Sequence, residues 1–245
     1  MGSLINNITI ATPFFNEEEG LDNFFHNLLL IKSLLDSLNI ESYFLFINDG
    51  SSDQTKKKLE QFKFKNELLN IEIINHKRNF GYGRTLKTSF LFCKTDYLIT
   101  YDSDCTYDYK IIKNLIKSIK VGDDIINVSY KLSKEKYNLS FLRKMLSWGA
   151  SIIYQLFFEE AQKYKISVYT CSFRIYRLKN IKNIKIYSDD FNACAEVILK
   201  SILKNLIIRE IPGVNLGRKY GYSKMKVFKN IYNTLKTVLL VKLKN

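Results

Sequence analysis

Two aspartates one residue apart, Asp102-Ser103-Asp104, close the apolar run at residues 97–101. Carboxylates at that spacing, on the loop leaving a strand, suit one hard divalent cation that also ligates a diphosphate. Such a metal neutralises charge on a departing nucleotide diphosphate and so acts as a Lewis acid. The pair alone is a weak signal, because a solvated loop ending in a helix cap has the same composition. Two further polar clusters bear on it. Asn16-Glu17, just beyond Pro13, follow the run at 8–14, and Asn48-Asp49-Gly50-Ser51-Ser52-Asp53 follow that at 43–47. Asp49 can accept from a base N–H or a ribose hydroxyl, or make an Asx-type turn leading into Asp53, the expected helix N-cap. Glu17 can bind a nucleotide or start the next helix, where the dipole favours an acid.

The elements that must position these residues alternate. Strand-type runs at 8–14, 43–47, 71–74 and 97–101 are separated by helical periodicity at 19–38, 53–62 and 85–93, and a helix at 111–119 follows. That order predicts βαβ units in a mostly parallel, doubly wound sheet. Ligands in such sheets bind beyond the carboxyl ends of the strands, which is where the three acidic loops fall. One such loop is ordinary turn chemistry; three at corresponding strand ends point to a site.

The second half is less regular. A helix at 139–158 places Leu142, Met145, Leu146, Ile152, Ile153 and Leu156 near one face. Another helix is expected at 191–204 and a strand at 207–212. The tail, 226–243, puts Val227, Ile231, Leu235, Val238 and Leu239 on one face among lysines, the pattern of an interfacial helix. No internal repeat, low-complexity segment or linker interrupts the chain.

With 245 residues, 46% of them hydrophobic, the chain can fill the core of one α/β domain. Its four cysteines are widely spaced, and His26 and His76 stand alone, which argues against a disulfide framework or structural zinc and favours a reducing compartment. No secretory leader and no apolar run of membrane-spanning length is visible, so a soluble or peripheral protein is expected. The net charge of +14 suits nucleic acid, an anionic membrane or phosphorylated substrates, and a Lys-, Asn- and Ile-rich composition explains it equally well.

Taken in order, Thr12-Pro13-Phe14-Phe15-Asn16-Glu17, Asn48-Asp49-Gly50-Ser51-Ser52-Asp53-Gln54-Thr55, Asn79-Phe80-Gly81-Tyr82-Gly83 and Asp102-Ser103-Asp104 resemble the signature of family 2 glycosyltransferases with the GT-A fold. The resemblance continues through 143–147, Thr170-Cys171-Ser172-Phe173-Arg174, Ile211-Pro212 and the stretch from Arg218 to Lys224. This set is similar to the dolichyl-phosphate mannosyltransferase and polyprenyl-phosphate branch, over roughly residues 8–225. It implies a GT-A, Rossmann-like catalytic domain at 1–225 and an amphipathic, membrane-associating helix at 226–245.

It also implies roles. Pro13, Phe15, Glu17, Ile47 and Asp49 enclose the nucleoside. Asp102, Ser103 and Asp104 meet ribose, diphosphate and a Mg²⁺ or Mn²⁺ ion, with Thr106 near the metal. Arg143, Arg218 and Lys224 gather donor and acceptor phosphates, and Arg218 counts with the two aspartates as catalytic. The implied reaction moves a hexose, with inversion, from a GDP- or UDP-sugar to a polyprenyl phosphate. The enzyme would work as a peripheral protein on the cytoplasmic face of the membrane, with a homo-oligomer left open, and without nucleic acid. A glycan, lipid or protein hydroxyl in cell-surface polysaccharide synthesis is the alternative acceptor, and a basic nucleic-acid-binding α/β protein a more distant reading. A hydroxyl acceptor needs a general base, for which Glu196, Asp189 and Asp190 are candidates; a phosphate does not. Val168 and Ser172 depart from the pattern, which often has Asp and Gly there.

Overall fold

The computed structural model describes residues 5–133, 141–217 and 227–243, without the side chains of 141–143 and 227–231. Strands β1 (Asn7–Phe14), β2 (Glu41–Asn48), β3 (Asn70–Asn75) and β4 (Tyr97–Thr100) are parallel, in the order β3-β2-β1-β4. Helices α1 (Leu21–Ser37), α2 (Thr55–Lys65) and α3 (Tyr82–Phe92) make the crossovers. After β4 come α4 (Ile111–Ser118), β5 (Ile125–Ser129), α5 (Phe141–Phe157) and α6 (Glu159–Tyr164). Then follow β6 (Arg174–Arg177), α7 (Leu178–Ile181), α8 (Ala193–Leu203), β7 (Ile208–Pro212) and α9 (Val227–Leu243). Strand β6 runs antiparallel between β4 and β5, and β7 lies parallel to β5 at the far edge of a seven-stranded sheet.

Both faces of the sheet are covered, so its inner strands are apolar on both sides. In β2, Phe44 and Phe46 enter one core with Phe14 and Phe24, while Leu45 and Ile47 enter a second with Leu86 and Leu98. Helix α1 buries Leu21, Phe24, Leu28, Ile31 and Leu35, spaced three and four apart, against the first core. Helices α3 and α8 close the second.

The expected α/β order is present, with two strands added. In β5 every residue is buried, Asn127 included, and β6 is a four-residue strand with an arginine at each end. Neither shows the alternation that marks a half-exposed strand, and pairing with neighbours decides them. Helix α3 starts three residues before the expected position, at Tyr82, because Gly81 has φ of 97° and lets the chain turn into it.

The two amphipathic stripes divide. In α9, Val238 is 3% exposed and Val241 is fully buried, inside the second core, whereas Leu235 and Leu239 face outward. In α5, Tyr154 and Ser151 face inward and Met145, Trp148 and Leu156 outward. Residues Leu142, Val227 and Ile231 contribute side chains outside those described, as does the 225/226 boundary.

Candidate active site

The first three loops beyond the sheet brace one another. Asn16, with φ of 52°, donates its N–H to Ser51 Oγ at 3.0 Å and accepts from Ser52 N–H at 2.8 Å. Glu17 N–H donates to Thr55 Oγ1 at 2.9 Å, and Glu18 N–H to Asp53 Oδ2 at 3.2 Å. Asp53 stands one residue before the N-cap of α2, which is Gln54 and makes no side-chain cap bond, because the helix begins two residues later than predicted; Asp53 instead accepts from Thr55 N–H at 2.9 Å. Gly50, with φ of 67°, admits no side chain, because a Cβ would lie 2.2 Å from the Arg78 carbonyl carbon. Pro13 sits opposite Ile47 in the β1–β2 register, so both belong to this rim by backbone.

Two residues expected to touch the nucleoside have other partners. The Ile47 side chain is fully buried in the second core. The Asp49 carboxylate, 2% exposed, accepts from Gly81 N–H at 2.8 Å, Phe80 N–H at 3.1 Å and His76 Nδ1 at 2.6 Å. His76 Nε2 in turn meets Thr88 Oγ1 at 2.9 Å. The carboxylate thus holds the Asn79-Phe80-Gly81 turn, while the local Asx-type bond of its own loop is made by Asn48, whose Oδ1 accepts from Ser51 N–H at 3.1 Å. His76 is not solitary, and only the fold brings it to Asp49. Phe80 lies at the mouth of this loop, with the Arg78 and Arg84 guanidinium carbons 5.1 and 5.7 Å from its ring centroid. Neither arginine stood out in a Lys-rich sequence.

Asp102 and Asp104 leave β4 on a tight turn. Cys105 N–H bonds Asp102 O at 3.2 Å with Cys105 at φ of 50°, and Thr106 N–H bonds Asp104 Oδ1 at 3.1 Å. Thr106 thereby fixes one candidate metal ligand through its backbone. Ser172 Oγ donates to Asp102 Oδ2. Both aspartates are half-buried and Ser103 is buried. Leu216 N–H reaches Thr106 O at 2.8 Å, so β7's continuation passes the aspartate turn two residues before Arg218. Arg218 and Lys224 lie outside the described residues; Arg143 is in the first turn of α5, its side chain likewise undescribed.

The donor set fits Mg²⁺ or Mn²⁺. It offers hard oxygen only, and among the described residues no group of three or more His, Cys, Asp or Glu forms a closed cage. A cation held by one or two carboxylates takes its remaining oxygens from substrate and water. Two of the four cysteines are unsuited to nucleophilic chemistry: burial pushes the Cys171 thiol up to about 11 and Cys194 to about 12, so neither is a thiolate at neutral pH.

The three candidate bases are differently placed. Glu196 is fully buried, accepting from Tyr187 N–H and Ser188 N–H at 2.8 Å each and pairing with Lys200 at 2.9 Å. Asp190 accepts from Asn192 N–H at 2.9 Å and from the Asn233 amide of α9. Asp189 is half exposed and pairs with Lys87 at 2.7 Å.

The profile of glycosyl transferase family 2 matches residues 9–185. The chain belongs to that family. Among relatives of this glycosyltransferase, the dodecaprenyl-phosphate galacturonate synthase of Rhizobium johnstonii is 22% identical over 240 residues, 97% of this chain and 68% of its own length. The undecaprenyl-phosphate 4-deoxy-4-formamido-L-arabinose transferase of Proteus mirabilis is 26% identical over 241 residues, 94% and 67% of the two chains. The chain thus spans about two thirds of these relatives. Glucosyl-3-phosphoglycerate synthase of Mycobacterium tuberculosis shares the fold with a TM-score of 0.70 at 12% identity, covering 96% of this chain and 80% of that one. Structures of that synthase hold UDP with Mn²⁺ or Mg²⁺. The glycosyltransferase described here therefore has the GT-A fold.

Proposed function

We propose that this glycosyltransferase moves a hexose, with inversion, from a GDP- or UDP-sugar to a polyprenyl phosphate at a cytoplasmic membrane surface. The observation that carries the reading is the Asp102-Ser103-Asp104 turn, braced by Thr106 and Ser172 at the carboxyl end of β4. A divalent cation bound there supplies Lewis-acid stabilisation of the leaving diphosphate. The chain's own residues do the rest. Asp102 and Asp104 would hold the cation, and the clasped loops around Asn16, Glu17 and Phe80 would form the nucleoside side with Pro13 and Phe15. Arg143, Arg218 and Lys224 would dock phosphates, as guanidinium forks and a point charge do.

A phosphate acceptor needs no general base, and two of the three candidate acids agree with that. Glu196 and Asp190 are consumed by structural bonds. Membrane placement draws support from α5 and α9, which present Met145, Trp148 and Leu156 beside Leu235, Leu239 and Leu243 to the exterior. Exposed Lys236 and Lys242 flank them, matching an anionic headgroup layer. Among the described residues no helix is long and apolar enough to cross a membrane. The two relatives, a dodecaprenyl-phosphate and an undecaprenyl-phosphate sugar transferase, support the same acceptor class.

The deciding experiment is a transfer assay with UDP- and GDP-hexoses, Mn²⁺ or Mg²⁺, and a short-chain polyprenyl phosphate. Product is expected with one donor, none in excess EDTA, and a much larger loss for Arg218→Ala or Lys224→Ala than for the folded fraction of Glu196→Gln. A dead Glu196→Gln beside a nearly normal Arg218→Ala would instead favour a hydroxyl acceptor.

A further inference from the structure

We infer that Ser172 is a positioning residue for the metal-binding carboxylate Asp102, an inference that rests on the donor-site reading above. The sheet register produces the pairing. Strands β4 and β6 are antiparallel, with Thr100 opposite Arg174 as their last paired positions. The same register carried two residues further brings Ser172 opposite Asp102. Side chains at i and i+2 share a face of a strand, so Thr100 and Asp102 point the same way. Each holds one end of Ser172: Thr100 Oγ1 donates to the Ser172 carbonyl, and Ser172 Oγ donates to Asp102 Oδ2.

Ser172 is itself fixed from behind. It is 5% exposed, and two residues on, Arg174 is fully buried, with no carboxylate in ion-pair range among the described residues. The Arg174 guanidinium instead bonds Asn127 Oδ1 at 2.8 Å, Cys194 O at 2.6 Å and Tyr169 O at 2.5 Å. Strand β6 is therefore bolted to β5, α8 and the loop before it, so its Ser172 end is a rigid platform. A carboxylate on a loop rotates about χ2, and stopping that rotation costs entropy when a cation binds. A hydrogen bond from a rigid hydroxyl to one oxygen sets the carboxylate plane beforehand, which is how partners behind a metal ligand raise affinity. Glycine, which the family pattern often has here, has no hydroxyl and cannot do this.

The test is calorimetric titration of Mn²⁺ into the protein with saturating UDP, and again with GDP, for wild type, Ser172→Ala, Ser172→Gly and Ser172→Thr. Ser172→Ala and Ser172→Gly are expected to weaken Mn²⁺ binding about tenfold, while Ser172→Thr, which keeps the hydroxyl, stays close to wild type. Metal-free nucleotide affinity should fall by less, whereas general damage to the fold would lower both together. Unchanged Mn²⁺ affinity in Ser172→Ala and Ser172→Gly overturns the assignment. Should Ser172→Ala not fold, Ser172→Gly and Thr100→Val are read instead, and unchanged affinity in both overturns it equally. Absence of any Mn²⁺-linked nucleotide binding by wild type would sink the donor-site reading itself, a separate outcome.

Discussion

The two halves of this enzyme use buried and half-buried polar groups in opposite ways. In the β1–β4 half, side chains tie the backbone of one loop to another: Asn16 to Ser52 and Glu18 to Gln54, with Asp53 bonded locally to Thr55. These bonds sit at the exposed end of the sheet and shape a surface. In the second half the polar groups lie inside. Glu196 and Lys200 form a pair 0% and 4% exposed in their side chains, Arg174 lies in the sheet, and Glu210 accepts from Asn127 Nδ2 at 2.7 Å and Ser167 N–H at 2.9 Å. One half builds a site from loops; the other builds a rigid back wall from buried charge. The difference separates the loops of the donor side from the buried side chains that hold the wall behind them.

The sharpest way to break that distinction is to remove one charge from each half. Asp104→Asn should leave the fold intact and lower transfer by about 10²–10³-fold, the loss typical of removing one electrostatic stabiliser of a leaving group. Full activity of this variant, or of wild type in EDTA, would sink the metal assignment. Glu196→Gln should do the reverse. It leaves Lys200 buried without its partner and turns a donor toward the Tyr187 or Ser188 N–H, for a stability loss of about 3–5 kcal/mol. Denaturant unfolding should record that loss, while turnover per folded molecule changes little. A stable but inactive Glu196→Gln would move Glu196 into the chemistry.

The same contrast explains what was legible in the sequence. The donor half could be read because its signals are local: apolar runs of strand length, glycines at turns, and Asn, Asp and Ser at fixed offsets. All four parallel strands and the three acidic loops follow from that. Asp49 was legible as important but not in its role, because its partners His76, Phe80 and Gly81 are about thirty residues away and meet it only through the crossover. In the second half, Asn127, Arg174, Cys194 and Glu210 are partners across tens of residues, and a buried arginine in a short strand mimics a surface segment. The stripe of α9 was legible as amphipathic, yet periodicity alone cannot say that Val238 turns inward and Leu239 outward.

The outward faces of α5 and α9 give a third, smaller effect. Trp148→Glu and Leu239→Glu should each weaken salt-sensitive co-sedimentation with anionic vesicles, by at most about 1.5–3 kcal/mol, the value of burying one large apolar side chain. Substitution is preferred to deleting the tail, since Val238 and Val241 are core residues whose loss would damage the fold. Equal sedimentation of wild type and both variants would remove these faces from the membrane contact.

The smallest effect belongs to the donor-half braces. Burial alone would raise the Asp53 carboxyl, but the bonds from the Thr55 hydroxyl and N–H and from the Glu18 N–H outweigh it and hold its pKa below the ordinary value. A depressed carboxyl contributes stability that is fully present above its unfolded pKa and is lost as pH falls through the folded one. Asp53→Ala should therefore cost about 1 kcal/mol at neutral pH, the net worth of the hydrogen bonds it accepts from Thr55 and Glu18. Wild type and variant should converge as pH drops below about 3.9, the ordinary Asp value. Denaturant midpoints from pH 7 to pH 3 measure the gap. A gap that stays constant across the range would mean that Asp53 braces the α1 and α2 loops without its charge, and that the donor half depends on shape alone at this corner.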